Sequence, residues 1–312
     1  MDLLLTFDDN YTQHAGVTIC SLLANNPGAH TFHVISDGIS SRNRALLAGL
    51  CDASGSSIRY YSVDAATAAQ FPVGQGTINP DLTIATYFRL FMVDLLPASL
   101  QKVLYIDCDI VVDASLEGLW NTTFQEGKCI AALEELPTLA GDGCHRMGYP
   151  PSSSYFNAGV LLVDLEQLRK FYSVAMAADF IRERHADIRY HDQDVMNALL
   201  YDRKLFFPLR YNVMDTCLMK RVVLPPRYAD QRQDVRRPAV IHYTGEVKPW
   251  HRESRNPFTG KYYDYLRMTP WRDYKPRTKF PTLKAKAVYL TKHWAKTVLD
   301  VLGLRTYRYI CL

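Results

Sequence analysis

Over the first 112 residues, strand-length runs of leucine, β-branched and aromatic residues take turns with helix-like segments, and this rhythm restricts the possible folds more than any other feature. Leu3–Phe7, Thr31–Ser36, Ile58–Val63 and Lys102–Ile106 read as strands. Between them, Ala15–Ala24 reads as a helix that stops at the breaker cluster Asn25-Asn26-Pro27-Gly28. Ser40–Cys51 reads as an amphipathic helix capped by Ser40, and Ile84–Leu95 returns to helical spacing. Strands separated by helices in this way predict an α/β domain with a parallel sheet covered on both faces. Ligands of such sheets sit at the carboxyl ends of the strands, so the polar residues just after each strand are the candidates for chemistry.

The rhythm continues with an apolar run at Phe156–Leu165, helix-like segments at Glu166–His185 and Asp192–Tyr201, and a short apolar run at Ala239–Tyr243. It stops near Asn256, where Lys, Arg, Tyr and Trp take over. That change predicts a domain boundary, with a globular domain over residues 1–255 and a basic, aromatic-rich region over 256–312. From Lys248 to the end there are fifteen Lys and Arg against four Asp and Glu, a net of +11, which leaves −7 on the preceding 247 residues. A basic tail on a mildly acidic body predicts an anionic partner for the tail.

With 312 residues, 48% of them hydrophobic, the chain has material for a sizeable core. Met1-Asp2 leads directly into the first strand, unlike a signal peptide. No window supplies the roughly 18 apolar residues of a spanning helix. The expectation is a cytoplasmic chain. The seven cysteines are scattered and never spaced C-x-x-C, which argues against a disulfide framework or a structural zinc site.

Lys102-Val-Leu-Tyr-Ile-Asp107-Cys-Asp109 is the most informative segment. In extended chain, residues two apart point the same way, so both carboxylates can face one hard cation of the magnesium or manganese type. Alone, D-x-D equally describes a solvated turn. Ala239-Val-Ile-His242-Tyr-Thr-Gly245-Glu-Val-Lys248-Pro-Trp250 has the same construction. His242 suits a third metal ligand, and glycine with lysine suits phosphate oxygens, although a strand-end histidine and a surface lysine also occur without function. Asn157-Ala158-Gly159 opens an apolar run, and His191-Asp192-Gln193-Asp194 opens a helix, where acidic residues also favour the dipole. Asp8-Asp9-Asn10-Tyr11 reads either as a post-strand cap or as a nucleobase pocket.

Taken together and in order, these segments, with Ile84-Ala-Thr86-Tyr87-Phe-Arg89-Leu90, resemble glycosyltransferase family 8 over roughly residues 1–255. The likeness is greatest to its bacterial branch, which builds lipooligosaccharide and lipopolysaccharide outer cores, and within that to the α-galactosyltransferases. The resemblance implies the A-type glycosyltransferase fold, which is Rossmann-like, and a retaining, metal-dependent transfer of galactose or glucose from a UDP-sugar to a carbohydrate acceptor. It implies that Asp8, Asn10 and Tyr11 hold uridine, that Asp107, Asp109 and His242 ligate Mn2+ (or Mg2+), and that Gly245 and Lys248 meet the diphosphate. Arg89, Asn157, Asp192 and Gln193 then line the donor sugar, with Asp107 also in reach of it. An amide at 193 is a poor nucleophile, so acceptor attack from the leaving-group face is favoured, with Asp192 the alternative nucleophile. One departure falls on the acceptor side: Asp81 stands where close relatives carry histidine. Asn212–Leu224 is a second candidate acceptor wall.

In the tail, Leu283, Ala287, Leu290, Trp294, Val298 and Val301 recur at helical spacing, flanked by Lys284, Lys286, Lys292 and Lys296 and followed by Arg305 and Arg308. Such a helix suits the interface of an anionic membrane, here the inner face of the cytoplasmic membrane, with a helix packed on the body as the other reading. Nucleic acid is not expected, since the cleft motifs give it no support. A glycogenin-like self-glucosylating enzyme and a catalytically silent nucleotide-sugar or membrane-binding module are the competing functional readings.

Overall fold

The computed structural model describes residues 1–69, 71, 84–302, 309 and 310. Asp81, Arg305 and Arg308 lie outside the described residues. Seven strands form one sheet in the order β3-β2-β1-β4-β7-β6-β8: β1 (Asp2–Thr6), β2 (Thr31–Ser36), β3 (Ser57–Ser62), β4 (Lys102–Ile106), β6 (Ile130–Glu134), β7 (Phe156–Asp164) and β8 (Lys204–Phe206). A second sheet, in the order β5-β10-β9, joins β5 (Ile110–Val112), β9 (Val213–Met214) and β10 (Val240–His242).

Both faces of the large sheet are covered, as β4 shows by itself. Leu104 and Ile106 enter one hydrophobic cluster with Leu3 and Leu5 of β1, while Val103 and Tyr105 enter a second cluster with Leu4. All of these side chains are at most 1% exposed. That double burial is why the strands read as continuous apolar runs rather than alternating ones. The helices α1 (Thr12–Asn25) and α2 (Ser41–Asp52) follow β1 and β2, and Ser40 caps α2 by accepting from the Asn43 amide.

The expected parallel sheet is present with one exception, β7. β3, β2, β1 and β4 run parallel, but β7 pairs antiparallel with both β4 and β6. Two other expectations change. The segment read as one helix over 166–185 is two, α3 (Leu165–Phe171) and α4 (Val174–Arg184), because Ser173 adopts extended backbone and caps the second. Ile84–Phe91 is a 3-10 turn followed by one α turn at Met92–Leu95. The helix α5 (His191–Leu200) starts where its acidic opening predicted.

Beyond residue 255 the chain first returns to the body. α6 (Thr259–Leu266) packs against α1, and Tyr262 and Leu266 join the core shared with β1. What departs is α7 (Leu283–Val301), whose Leu283, Leu290, Trp294 and Val301 are exposed. Its contacts with the body run through other positions, such as Lys286 to Glu253 at 3.1 Å. No described helix is long and apolar enough to cross a membrane.

Candidate active site

Three strand ends converge at one point. β4 ends at Ile106 and delivers Asp107, whose amide donates to the Gly159 carbonyl of β7 at 2.9 Å. The chain turns through Cys108 and Asp109 into β5, which pairs antiparallel with β10 so that Ile110 faces His242. The Tyr243 amide closes that pair on the Asp109 carbonyl at 3.0 Å. Asp107, Asp109 and His242 thereby present one ligand atom each, all within 4.8 Å of one another. His242 Nε2 lies 3.3 Å from Asp109 Oδ1 and 3.6 Å from Asp107 Oδ2.

The donor set suits a hard divalent cation. Asp109 Oδ1 is buried and receives no hydrogen bond, which is costly unless a cation meets it. Burial raises the Asp109 pKa, but the charge and hydrogen bond of the Lys248 ammonium oppose it and hold the carboxyl below the ordinary carboxylate range. Lys248 Nζ donates to Asp109 Oδ2 and to the Tyr243 carbonyl, both at 2.7 Å. The approach of β7 is equally specific. A β-carbon on Gly159 would fall 2.1 Å from His242 Cε1, so only glycine fits there.

Arg89, from the 3-10 turn, spans the floor. Its guanidinium donates to Asp107 Oδ1 at 2.9 Å and to the Ala158 carbonyl at 2.5 Å, and forms an ion pair with Asp192 at the start of α5. Asp192 is 6% exposed. Burial pushes its carboxyl up to about 6 against the opposing pull of Arg89. Gln193 turns its carbonyl inward, accepting from the Ala158 amide at 2.9 Å and from Asn157 Nδ2 at 3.3 Å. The Asn157 side-chain oxygen accepts from the Gly159 amide at 3.0 Å and from Asn212 at 2.9 Å, so that side chain is held by protein partners.

At the end of β1, Asp8 caps a turn by accepting from the Tyr11 amide at 3.0 Å, and Asn10 Nδ2 reaches Asp8 at 3.5 Å. Tyr11, 38% exposed, meets Trp250 edge-on at 5.9 Å, which brings the first motif beside the last. Trp250 stacks on His14 at 3.6 Å, where burial pushes the imidazole down to about 3 and keeps it neutral. Gly245 donates its amide to Asp215 at 2.6 Å.

Glu135 and Arg146 escaped the sequence reading, and the partners of Asn212, Asp215 and Asp194 were not legible in it. Asn212 accepts from His242 at 2.8 Å, Glu135 accepts from Asn157 at 3.1 Å, and Asp215 braces the Gly245 turn. Asp194 and Arg146 form a buried ion pair beneath α5. The Asn212–Leu224 stretch is not the acceptor wall expected throughout: Asn212, Val213, Met214, Asp215, Cys217 and Leu218 are buried.

A sheet with its crevice at strand ends, holding a carboxylate–histidine triad beside a lysine, defines a glycosyltransferase of the A-type fold. The family model for glycosyl transferase family 8 matches residues 2–254, and the chain belongs to that family. It is 28% identical to lipopolysaccharide 1,2-glucosyltransferase of Escherichia coli K12, over 90% of this chain and 82% of that protein. It is 29% identical to general stress protein A of Bacillus subtilis, over 87% of this chain and 94% of that protein. The crystal structure of galactosyltransferase LgtC with donor and acceptor sugar analogues is similar with a TM-score of 0.76 and 30% identity, covering 86% of this chain and 96% of that one. The chain is accordingly a metal-dependent hexosyltransferase.

Proposed function

We propose that this enzyme moves galactose or glucose from a UDP-sugar, with retention and with Mn2+, to a lipopolysaccharide-core or other glycolipid oligosaccharide. The observation that carries the reading is the Asp107–Asp109–His242 triad, with an unpartnered carboxylate oxygen facing the imidazole. Its similarity to lipopolysaccharide glucosyl- and galactosyltransferases supports the acceptor class.

In this reading Asp107, Asp109 and His242 hold the cation, which when bound neutralises charge on the leaving diphosphate. Asp8, Asn10 and Tyr11 hold the uridine, and Gly245 and Lys248 belong to the diphosphate end. Arg89 and Asn157 support the sugar pocket, where Asp192 accepts hydrogen bonds from sugar hydroxyls and Gln193 flanks the anomeric carbon. Cleavage leaves negative charge on UDP and positive charge on the sugar, so fixed groups aimed at both ends lower the barrier. The Gln193 amide is a poor nucleophile, and one Asp192 oxygen is already paired to Arg89. Both facts support attack by the acceptor from the leaving-group face.

We assign residues 1–255 to catalysis and 256–312 to membrane association, with α7 as the contacting element on the inner face of the cytoplasmic membrane. Its apolar stripe faces solvent rather than the body, with Trp294 68% exposed and lysines on either side, which supports an interfacial rather than a packed helix.

The test is transfer from a panel of UDP-sugars to truncated glycolipid cores, with and without Mn2+, followed by anomer analysis of the product. Mn2+-dependent transfer with retention supports the reading. An inverted product, or full turnover in excess chelator, overturns it.

A further inference from the structure

We propose that Glu135, Asn157 and Asn212 form a relay of hydrogen bonds that fixes the tautomer of His242, leaving its Nε2 unprotonated toward the cation site. The inference rests on the metal reading above and names residues that position the ligand rather than touch the ion.

The direction of each bond in the relay follows from groups that have no choice. A backbone amide only donates, and the Gly159 amide points at the Asn157 side chain at 3.0 Å, so the atom there is the carbonyl oxygen. Asn157 must then present its NH2 group on the other side, toward Glu135 Oε2 at 3.1 Å and Gln193 Oε1 at 3.3 Å. Because Asn157 Oδ1 is an acceptor, the Asn212 group 2.9 Å away is its NH2. Asn212 Oδ1 therefore faces His242 Nδ1 at 2.8 Å, and that nitrogen carries the proton. Nε2 is left with a lone pair, aimed between Asp107 and Asp109. Such outer partners of a metal-binding histidine set both its tautomer and its ring orientation.

Glu135 anchors the far end. It is 4% exposed at the end of β6, and its two oxygens serve two donors: Oε1 accepts from the Leu136 amide at 2.9 Å and Oε2 from Asn157. A glutamine there would set its NH2 group against one donor or the other. Turning Asn157 over would not relieve the clash, because its NH2 group would then meet the Gly159 amide, which can only donate. The carboxylate at 135 therefore supports the same Asn157 orientation that the Gly159 amide sets.

The experiment reads the metal-free protein first, by 15N NMR of the His242 imidazole, and then Mn2+ affinity in the presence of UDP by electron paramagnetic resonance. Wild type is expected to show the Nδ1–H tautomer. Asn212→Ala should lose that signature and weaken Mn2+ binding by roughly ten- to a hundred-fold. The isosteric Glu135→Gln, which sets an NH2 group against the Asn157 or the Leu136 donor, should loosen the relay and weaken Mn2+ binding in the same direction, and it carries the test if Asn212→Ala does not fold. His242→Ala measures loss of the ligand itself. If His242→Ala loses Mn2+ while both relay variants keep the wild-type tautomer and affinity, the relay is overturned and the metal site stands. If wild type itself binds no Mn2+ with UDP, the metal site falls and the relay with it.

Discussion

Gly159 and His242 pack so closely that a methyl group on the glycine would overlap the imidazole edge and come within 2.9 Å of Asp107 Oδ2. The middle of β7 is thus shaped around two of the three candidate metal ligands. Gly159→Ala should displace both, costing about 1–3 kcal/mol of stability through overpacking. Mn2+ binding should be abolished in protein that remains folded by circular dichroism. Retained binding would show that the ring swings aside cheaply.

Asp109→Asn should remove Mn2+-dependent transfer, because one anionic ligand of a hard cation is lost. The fold should survive, since Lys248 keeps the Tyr243 carbonyl as a partner. Transfer assays across a Mn2+ series, with thermal unfolding in parallel, check both halves; wild-type turnover would sink the metal assignment.

Asp192→Asn should lower kcat/KM by roughly ten- to a hundred-fold, as a buried carboxylate–hydroxyl contact is worth on the order of 1.5–3 kcal/mol. UDP affinity should stay near wild type. The pH profile adds a sign. The folded carboxyl titrates near 6, above its free value, so below that pH it is protonated and turnover should fall. The Asp107 charge contributes to raising that pKa, so neutralising it with a cation moves the acid limb lower. The same shift makes stability fall as pH rises from the unfolded carboxyl's range through about 6. An acid limb unchanged in Asp192→Asn would assign it elsewhere.

Asp194 is fully buried and takes two hydrogen bonds from Arg146, at 2.6 and 3.1 Å, one from Tyr155 at 2.6 Å, and the amides of Arg189 and Tyr190 at 2.7 and 2.8 Å. This clamp precedes His191, held at φ 45°, a backbone region that favours glycine, immediately before Asp192. Asp194→Leu should cost about 3–5 kcal/mol in urea unfolding, because Arg146 is left buried without its counter-charge. A loss under 1 kcal/mol would mean that water reaches Arg146.

Lys284→Glu with Lys292→Glu should weaken binding to anionic vesicles by about 1 kcal/mol per lost cation, an effect that salt erases. Turnover on a soluble acceptor should be unchanged, since α7 holds none of the catalytic groups. Vesicle binding indifferent to both changes and to salt would favour a helix that serves the body alone.

Where local chemistry decided the outcome, the sequence was readable. Asp107 and Asp109 follow a short apolar strand, His242 ends one, and Ser40 caps the helix its position implied. Non-local pairing was not readable. β7 runs antiparallel to both β4 and β6, and no residue in Phe156–Asp164 announces that direction. Glu135 and Asn212 share the same obscurity: each is an ordinary polar residue until folding buries it beside Asn157. The break at Ser173 was a missed cap within a long helical pattern.

The ion pairs of Arg89 and Lys248 also give the cleft a polarity that reverses. Asp107, Asp109 and Asp192 supply three negative charges against two positive ones, a balance of minus one. A diphosphate approaching that cleft meets a like charge in a partly buried space, where repulsion is poorly screened. A divalent cation held by Asp107, Asp109 and His242 would reverse the sign of this group of five side chains and so favour the diphosphate. Affinity for a diphosphate is thereby tied to occupancy of the cation site through the charges of these side chains alone.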